Sequence, residues 1–157
     1  MEQGRVSDKG NGISSSDAPA EGVYSLDPNL SVIRWTGRNL FNHHEGTLEL
    51  STGSASVNSG EVSKATFTID MSSISCGDIP DSQMNGMLIS HLKSDDFFSV
   101  NEFPSATFVT RCLAAINGAT PGSTNWTITG DLTLRGVTAE VTFPAVIAMK
   151  PEGVLVA

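Results

Sequence analysis

An all-β, antiparallel protein carrying one principal α-helix near residues 81–93 is predicted by three observations. Apolar residues alternate with hydroxyl or charged ones at period two in Ala65–Met71, Trp126–Thr129 and Val137–Phe143, the pattern of strands with one dry and one wet face. Strands buried on both faces, as in parallel sheets, would read as unbroken apolar runs instead. Charged residues make up only 17% of the 157-residue chain, less than the usual quarter, and Ser, Thr, Asn and Gly take their place. Between the alternating segments lie turn signals, above all Arg135-Gly136.

Residues 1–22 are polar, rich in Gly and Ser and without hydrophobic period, so they are expected to form a disordered linker; residues 23–157 form the single domain. The stretch 24–38, YSLDPNLSVIRWTGR, reads as a first strand preceded by a Pro turn. Glu45-Gly46 and Asn58-Ser59-Gly60 read as further turns. In the strand Lys64–Ser73, Phe67, Ile69 and Met71 are expected to face inward and Thr66, Thr68 and Asp70 outward. Asp81 or Ser82 can cap a helix running to about Lys93. Met84, Met87, Leu88, His91 and Leu92 fall at helical spacing. This helix suits either an adaptable Met-rich lid or an ordinary packed helix closing one end of the sheet.

After the helix comes HLKSDDFFSVNEFPSATF, residues 91–108. Its four phenylalanines, Phe97, Phe98, Phe103 and Phe108, carry large apolar areas and are expected to pin the helix to the sheet. The strand beginning at Ala106 is expected to place Phe108, Cys112 and Ile116 on one face and Thr107, Val109 and Arg111 on the other. Residues 130–144 read as two strands around Arg135-Gly136.

Net charge is −8 and the pI about 4.6, which argues against nucleic acid and against charge-driven docking on anionic lipid. No apolar run is long enough to span a bilayer. The N-terminus has no apolar signal-peptide core, which leaves a cytoplasmic protein or one whose signal has been removed.

No G-x-S-x-G elbow, phosphate-binding G-x-x-x-x-G-K-[ST] loop or H-E-x-x-H pair is present, so no catalytic residue is assigned. His43, His44 and His91, with Glu45, Asp95 and Asp96, are the only candidates for a metal. Neighbouring His43 and His44 point to opposite faces of a strand, so no metal site is assigned, and a metal-dependent enzyme using His44 and His91 is the weakest of three functional readings. Pairing of the strands around Cys76 and Cys112 is expected to set Cys76 near Ser105 and Cys112 near Thr66. That separation is too great for a disulfide and leaves two free thiols.

Several elements, in order and spacing, resemble the YceI-like family. Tyr24, Leu26, Asp27, Ser31, Trp35 and Gly37 are similar to its opening strand. His44, Gly46 and Leu48 match the start of its second strand, and Asp70, Ser73 and Ile74 a strand ending in Ser-Ile. Leu92, Phe97, Phe98, Phe103, Pro104, Ala106 and Phe108 match its helix exit and Phe-Pro-x-Ala-x-Phe element. Gly130, Asp131, Leu132, Thr133, Gly136 and Val137 match its Gly-Asp-Leu-Thr hairpin. The match runs from residue 24 to about 146, and HLKSDDFF is similar to a Bacteroidetes-like branch. Family members usually continue about forty residues further, so the resemblance implies missing closing strands and two unpaired sheet edges.

The resemblance implies a lipocalin-like antiparallel β-barrel that binds a polyisoprenoid or isoprenoid quinone without catalysis and needs no cofactor. It implies a periplasmic or cell-envelope location, including a lipoprotein whose signal has been removed. The expected pocket lining is Trp35, Leu48, Phe67, Ile69, Met71, Met84, Leu88, Phe108, Trp126 and Ile128. His44, His91 and Lys93 are expected at the pocket mouth, where His91 and Lys93 meet a polar headgroup or are simply solvated. A structural or partner-binding β-domain with a filled core, dimerising or pairing through its edge strands or its Phe97-Phe98 surface, is the alternative. Periodicity alone leaves the filled core and the cavity both open.

Overall fold

The computed structural model describes residues 21–38, 42–59, 61–120 and 123–146. The linker expected over residues 1–22 lies outside these up to residue 20. Among the described residues seven strands form one antiparallel sheet: β1 (Gly22–Ser25), β2 (Val32–Arg38), β3 (His43–Asn58), β4 (Glu61–Asp70), β5 (Ser105–Ala115), β6 (Trp126–Leu134) and β7 (Val137–Ala145). The order is β1-β3-β4-β5-β6-β7, with β2 also on β3. β2 pairs with the first half of the long β3 and β1 with its far end. The sheet curls into an antiparallel half-barrel, with one helix, α1 (Ser82–Lys93), packed against one end.

Local chemistry explains most boundaries. The Asp81 carboxylate accepts the Met84 N–H at 2.8 Å and starts α1. Basic His91 and Lys93 occupy its last turn, where the helix dipole favours them. β6 and β7 meet at Arg135-Gly136, both with positive φ (50° and 71°), the two-residue turn whose twist suits a hairpin. Asn58 pairs with Glu61 around Ser59 at φ 52°, which makes the expected 58–60 turn a hairpin. β4 stops at Asp70, whose carboxylate accepts from both the N–H and the hydroxyl of Ser72. Met71 therefore sits in a short 3-10 turn rather than in the strand, although it is buried.

Three sequence expectations are corrected here. Glu45-Gly46 is not a turn; it lies within β3. The glycine is there because a Cβ at that position would overlap Ser75 O and crowd the Trp35 indole. In β5, a bulge between Thr110 and Cys112 shifts the alternation by one residue. Leu113, not Cys112, then packs inward, and Cys112 is exposed. The cysteine register also differs. Ser105 pairs with Asp70 and Thr66 with Val109, while the segment around Cys76 lies along β3, Gly77 N donating to Glu45 O at 2.9 Å. Both thiols are free.

Of the four phenylalanines expected to pin the helix, Phe98 packs into the core beside α1, and Phe103 lies beneath the β6–β7 turn at Gly136. Phe97 is 47% exposed and lends that turn its carbonyl, which accepts from Arg135 Nη1 at 2.7 Å. Phe108 belongs to the middle of the sheet. The convex face carries hydroxyl pairs, Thr129 with Thr142 and Thr133 with Thr138, and the exposed Arg111–Asp131 pair.

Gly130 faces the same inner side and leaves no gap. A Cβ there would collide with the Phe108 ring and the Val109 carbonyl, whereas one at Gly86 of α1 would meet nothing. Gly130→Ala is expected to destabilise the fold by about 1–3 kcal/mol through overpacking, and Gly86→Ala to stabilise it by about 0.4–1 kcal/mol. Urea unfolding midpoints of the two variants measure the contrast; equal shifts would contradict the packing described.

Candidate ligand-binding site: the concave apolar face

Pairing register and burial identify the residues of the concave face. They include Ile33 and Trp35 of β2, Leu48, Leu50 and Val57 of β3, and Val62, Phe67 and Ile69 of β4. Ala106, Phe108 and Leu113 follow from β5, then Trp126, Ile128 and Leu132 from β6, and Val141, Phe143 and Ala145 from β7. Apart from Thr110 and His44, this surface is hydrocarbon or aromatic.

The face divides into two clusters. The first, around Leu48, Leu50, Ile69, Met71, Ile74 and Leu92, is covered by Leu88, Ile89 and Leu92 of α1 and by Phe98 and Val100 behind it. The second has a buried centre of Val57, Val62, Phe108, Ile128 and Ala145, is flanked by Tyr24, Leu113, Trp126 and Val141, and has no helix over it among the described residues. Phe67 and Leu132 border both. No large side chain among the described residues is fully buried; Phe108, at 2% exposed, comes nearest.

The sheet itself loosens at the second cluster. β4 and β5 are paired only from Asp70–Ser105 to Thr66–Val109. One residue further, the Ala65 N–H is taken by the Thr110 hydroxyl at 2.7 Å, which satisfies a donor that the ladder no longer serves. This is why Thr110 can be buried while polar.

The other end is fastened by a strap, residues 73–79. Thr47 and Ser75 exchange backbone hydrogen bonds, Ser73 Oγ accepts from Glu49 N at 2.8 Å, and Trp35 Nε1 donates to Ser75 O at 2.9 Å. Asp78 closes it. Its Oδ1 accepts from Glu45 N at 2.8 Å and from Cys76 Sγ at 3.2 Å, and its Oδ2 lies 2.8 Å from His44 Nδ1. Asn85 of α1 then donates to the carbonyls of Cys76 and Ile79. The Glu45 N–H, with His44 next and the thiol adding to them, holds the Asp78 carboxyl well below the usual carboxylate range.

The residues expected to line a pocket are thus distributed unevenly. Trp35, Leu48, Ile69, Met71 and Leu88 belong to the helix-covered cluster, and Phe108, Trp126 and Ile128 to the uncovered one, with Phe67 between. Met84 belongs to neither cluster and is 63% exposed. Of the expected mouth residues, His44 is fixed to Asp78 in the strap. His91 is exposed, edge-on to Phe97 and 3.9 Å from Asp96. Lys93 lies within electrostatic reach of Asp70. Among the described residues no group of three or more His, Cys, Asp or Glu is arranged to hold a metal ion. Sequence reasoning missed Asp78 and Ser75, whose partners lie 34 and 28 residues away.

Because Asp78 is held below its ordinary value, its contribution to stability is complete above pH about 4 and is lost as pH falls through the depressed value. Asp78→Asn should therefore be less stable than the unaltered protein at neutral pH, and the gap should close in acid. Urea midpoints across pH measure this; a gap independent of pH would show that the charge of Asp78 does not matter.

Comparison with known proteins agrees with this geometry. A UPF0312 protein of Staphylococcus aureus (strain MRSA252) is 38% identical over 87 residues, 55% of this chain and 41% of that protein. One from Shewanella denitrificans is 46% identical over 55 residues, 35% and 26% of the two chains. The chain thus spans about two fifths or less of the curated relatives it matches. The crystal structure of Burkholderia cenocepacia BcnA superposes with a TM-score of 0.55 at 24% identity, over 76% of this chain and 68% of that one, a likeness of fold. No helix among the described residues is long and apolar enough to cross a membrane. The model of the YceI-like domain matches residues 24–156, and the chain belongs to the YceI-like family.

Proposed function

We propose that the concave face binds the hydrocarbon of a long amphiphile, a polyisoprenoid or an isoprenoid quinone, for storage or transport in the cell envelope, without chemistry on the ligand. The observation that carries this is the second apolar cluster. Its half-buried members Leu113, Trp126 and Val141, with Phe143 beside them at 37% exposed, stand on the hollow side of the sheet with no helix over them among the described residues. The centre of the cluster is buried, but this half-buried rim keeps apolar area in water and so forgoes hydrophobic stabilisation. A hydrocarbon chain laid there gains about 0.8 kcal/mol for each methylene removed from water. The convex face carries threonine pairs and ions instead.

A partner-binding domain is the second reading. It is favoured by β7, which has no strand on its outer side among the described residues, and by exposed Val137 and Phe97. Such edges and patches invite another chain.

Mass spectrometry of solvent extracts separates the two. Purified protein should release an isoprenoid, Thr68→Asp on the convex face should retain it, and Ile128→Asp should lose it while circular dichroism shows the fold intact. A carboxylate beside hydrocarbon must either stay protonated or admit water. Retention by folded Ile128→Asp would exclude the concave face as the binding surface. Extracts free of lipid, from protein that self-associates in sedimentation, would favour the second reading.

A further inference from the structure

The two apolar clusters meet at an oblique row of aromatic rings, in register at Phe67 and Phe108 and reaching Phe143 level with Ile128. Phe67 of β4 stacks on Phe108 of β5, with centroids 4.9 Å apart and planes at 24°. Phe108 in turn meets Phe143 of β7 at 5.6 Å. The row crosses four strands, because β6 contributes Gly130 at the position under the Phe108 ring, where any side chain would collide with it. Three further features change at this line. Beyond it toward α1, the concave face is covered by helix side chains and by Phe98; on the other side no helix among the described residues lies over it, and Leu113, Trp126 and Val141 are half-buried. The β4–β5 ladder ends one rung past the Phe67–Phe108 pair. The buried polar Thr110, which holds the loosened strands together, sits on the uncovered side.

We infer that the Phe67–Phe108–Phe143 row is an end-stop that sets how much hydrocarbon chain the site buries. The helix-covered cluster is a packed plug, and a chain lying on the uncovered cluster runs against the row. Each methylene up to the stop leaves water, and each one beyond it remains wet. This inference rests on the amphiphile reading given above and adds to it a length-determining element and the residues that form it. Phe67 is the member to alter: it is half-buried, whereas Phe108, at 2% exposed, is integral to the core.

The test uses the full chain and a series of straight-chain n-alkyl alcohols of increasing length, with affinities measured by calorimetry. In the unaltered protein affinity should rise roughly fourfold per methylene and then stop rising at one chain length. Phe67→Ala should move that break to longer chains. Phe67→Leu, which keeps most of the apolar volume, should move it less and guards against a misfolded alanine variant. Ile89→Ala, which thins the plug from the helix side, should leave the break where it was. An unmoved break in folded, alcohol-binding Phe67→Ala and Phe67→Leu overturns the end-stop and leaves the amphiphile reading standing. An equal displacement by Ile89→Ala also overturns it, since the plug would then be part of the channel. Failure of the unaltered protein to bind any member of the series removes both.

Discussion

The contact of Phe108 with the bare backbone of Gly130 is the constraint on which the concave face depends. A ring of that size reaches the sheet floor only where the neighbouring strand has no side chain. Seated there, it stacks on Phe67 and touches Phe143, which ties β4 to β7 across the hollow side. Offset aromatic pairs of this kind add about 0.5–1.5 kcal/mol to their area burial. The row also divides the face into a half covered by α1 and a half with no helix over it among the described residues. Half-barrel and candidate binding surface therefore follow from one packing choice.

The strap beyond the first cluster plays the complementary part. After β4 ends at the Asp70 turn, the chain runs back along the first half of β3, bonded through Ser73, Ser75, Gly77 and Asp78. Ser75 O comes so close to β3 that only a glycine fits at position 46. Asp78 then fixes His44 and Cys76, and Asn85 ties the strap to α1. The helix is thereby held over the first cluster by polar contacts at its start and apolar ones along its inner side. That fixed placement suits a plug better than a moving lid, and it explains why Met84 can stand in solvent without cost to the core.

Much of this fold was legible in the residues. Period-two alternation located β4, β6 and β7, the Asp81 cap located α1 to within a residue, and Arg135-Gly136 marked its hairpin. What escaped was set by tertiary contact or by single-residue irregularity. One extra residue at the β5 bulge reverses every later side chain, so Leu113 and Cys112 exchanged faces. Gly46 carries the residue type of a turn, yet the reason for it lies 29 positions further along at Ser75. In the site, the apolar members were visible as alternating residues. Their division into covered and uncovered halves was not, because it depends on where α1 docks. The His44–Asp78–Cys76 cluster had no local signature, since nothing in the spacing of residues 44 and 78 brings them together.

The chain has two tryptophans, one in each half of the concave face: Trp35 in the plug and Trp126 in the open cluster. Titration with an isoprenoid quinone analogue brominated on its hydrocarbon chain therefore tests the central claim most directly, because bromine quenches only an indole that it touches. The Trp35→Phe protein, which keeps Trp126, should be strongly and saturably quenched, and the Trp126→Phe protein, which keeps Trp35, should be quenched far less. Equal quenching of both, or saturable binding that leaves Trp126 unaffected, would contradict the assignment of the open half of the concave face as the ligand site.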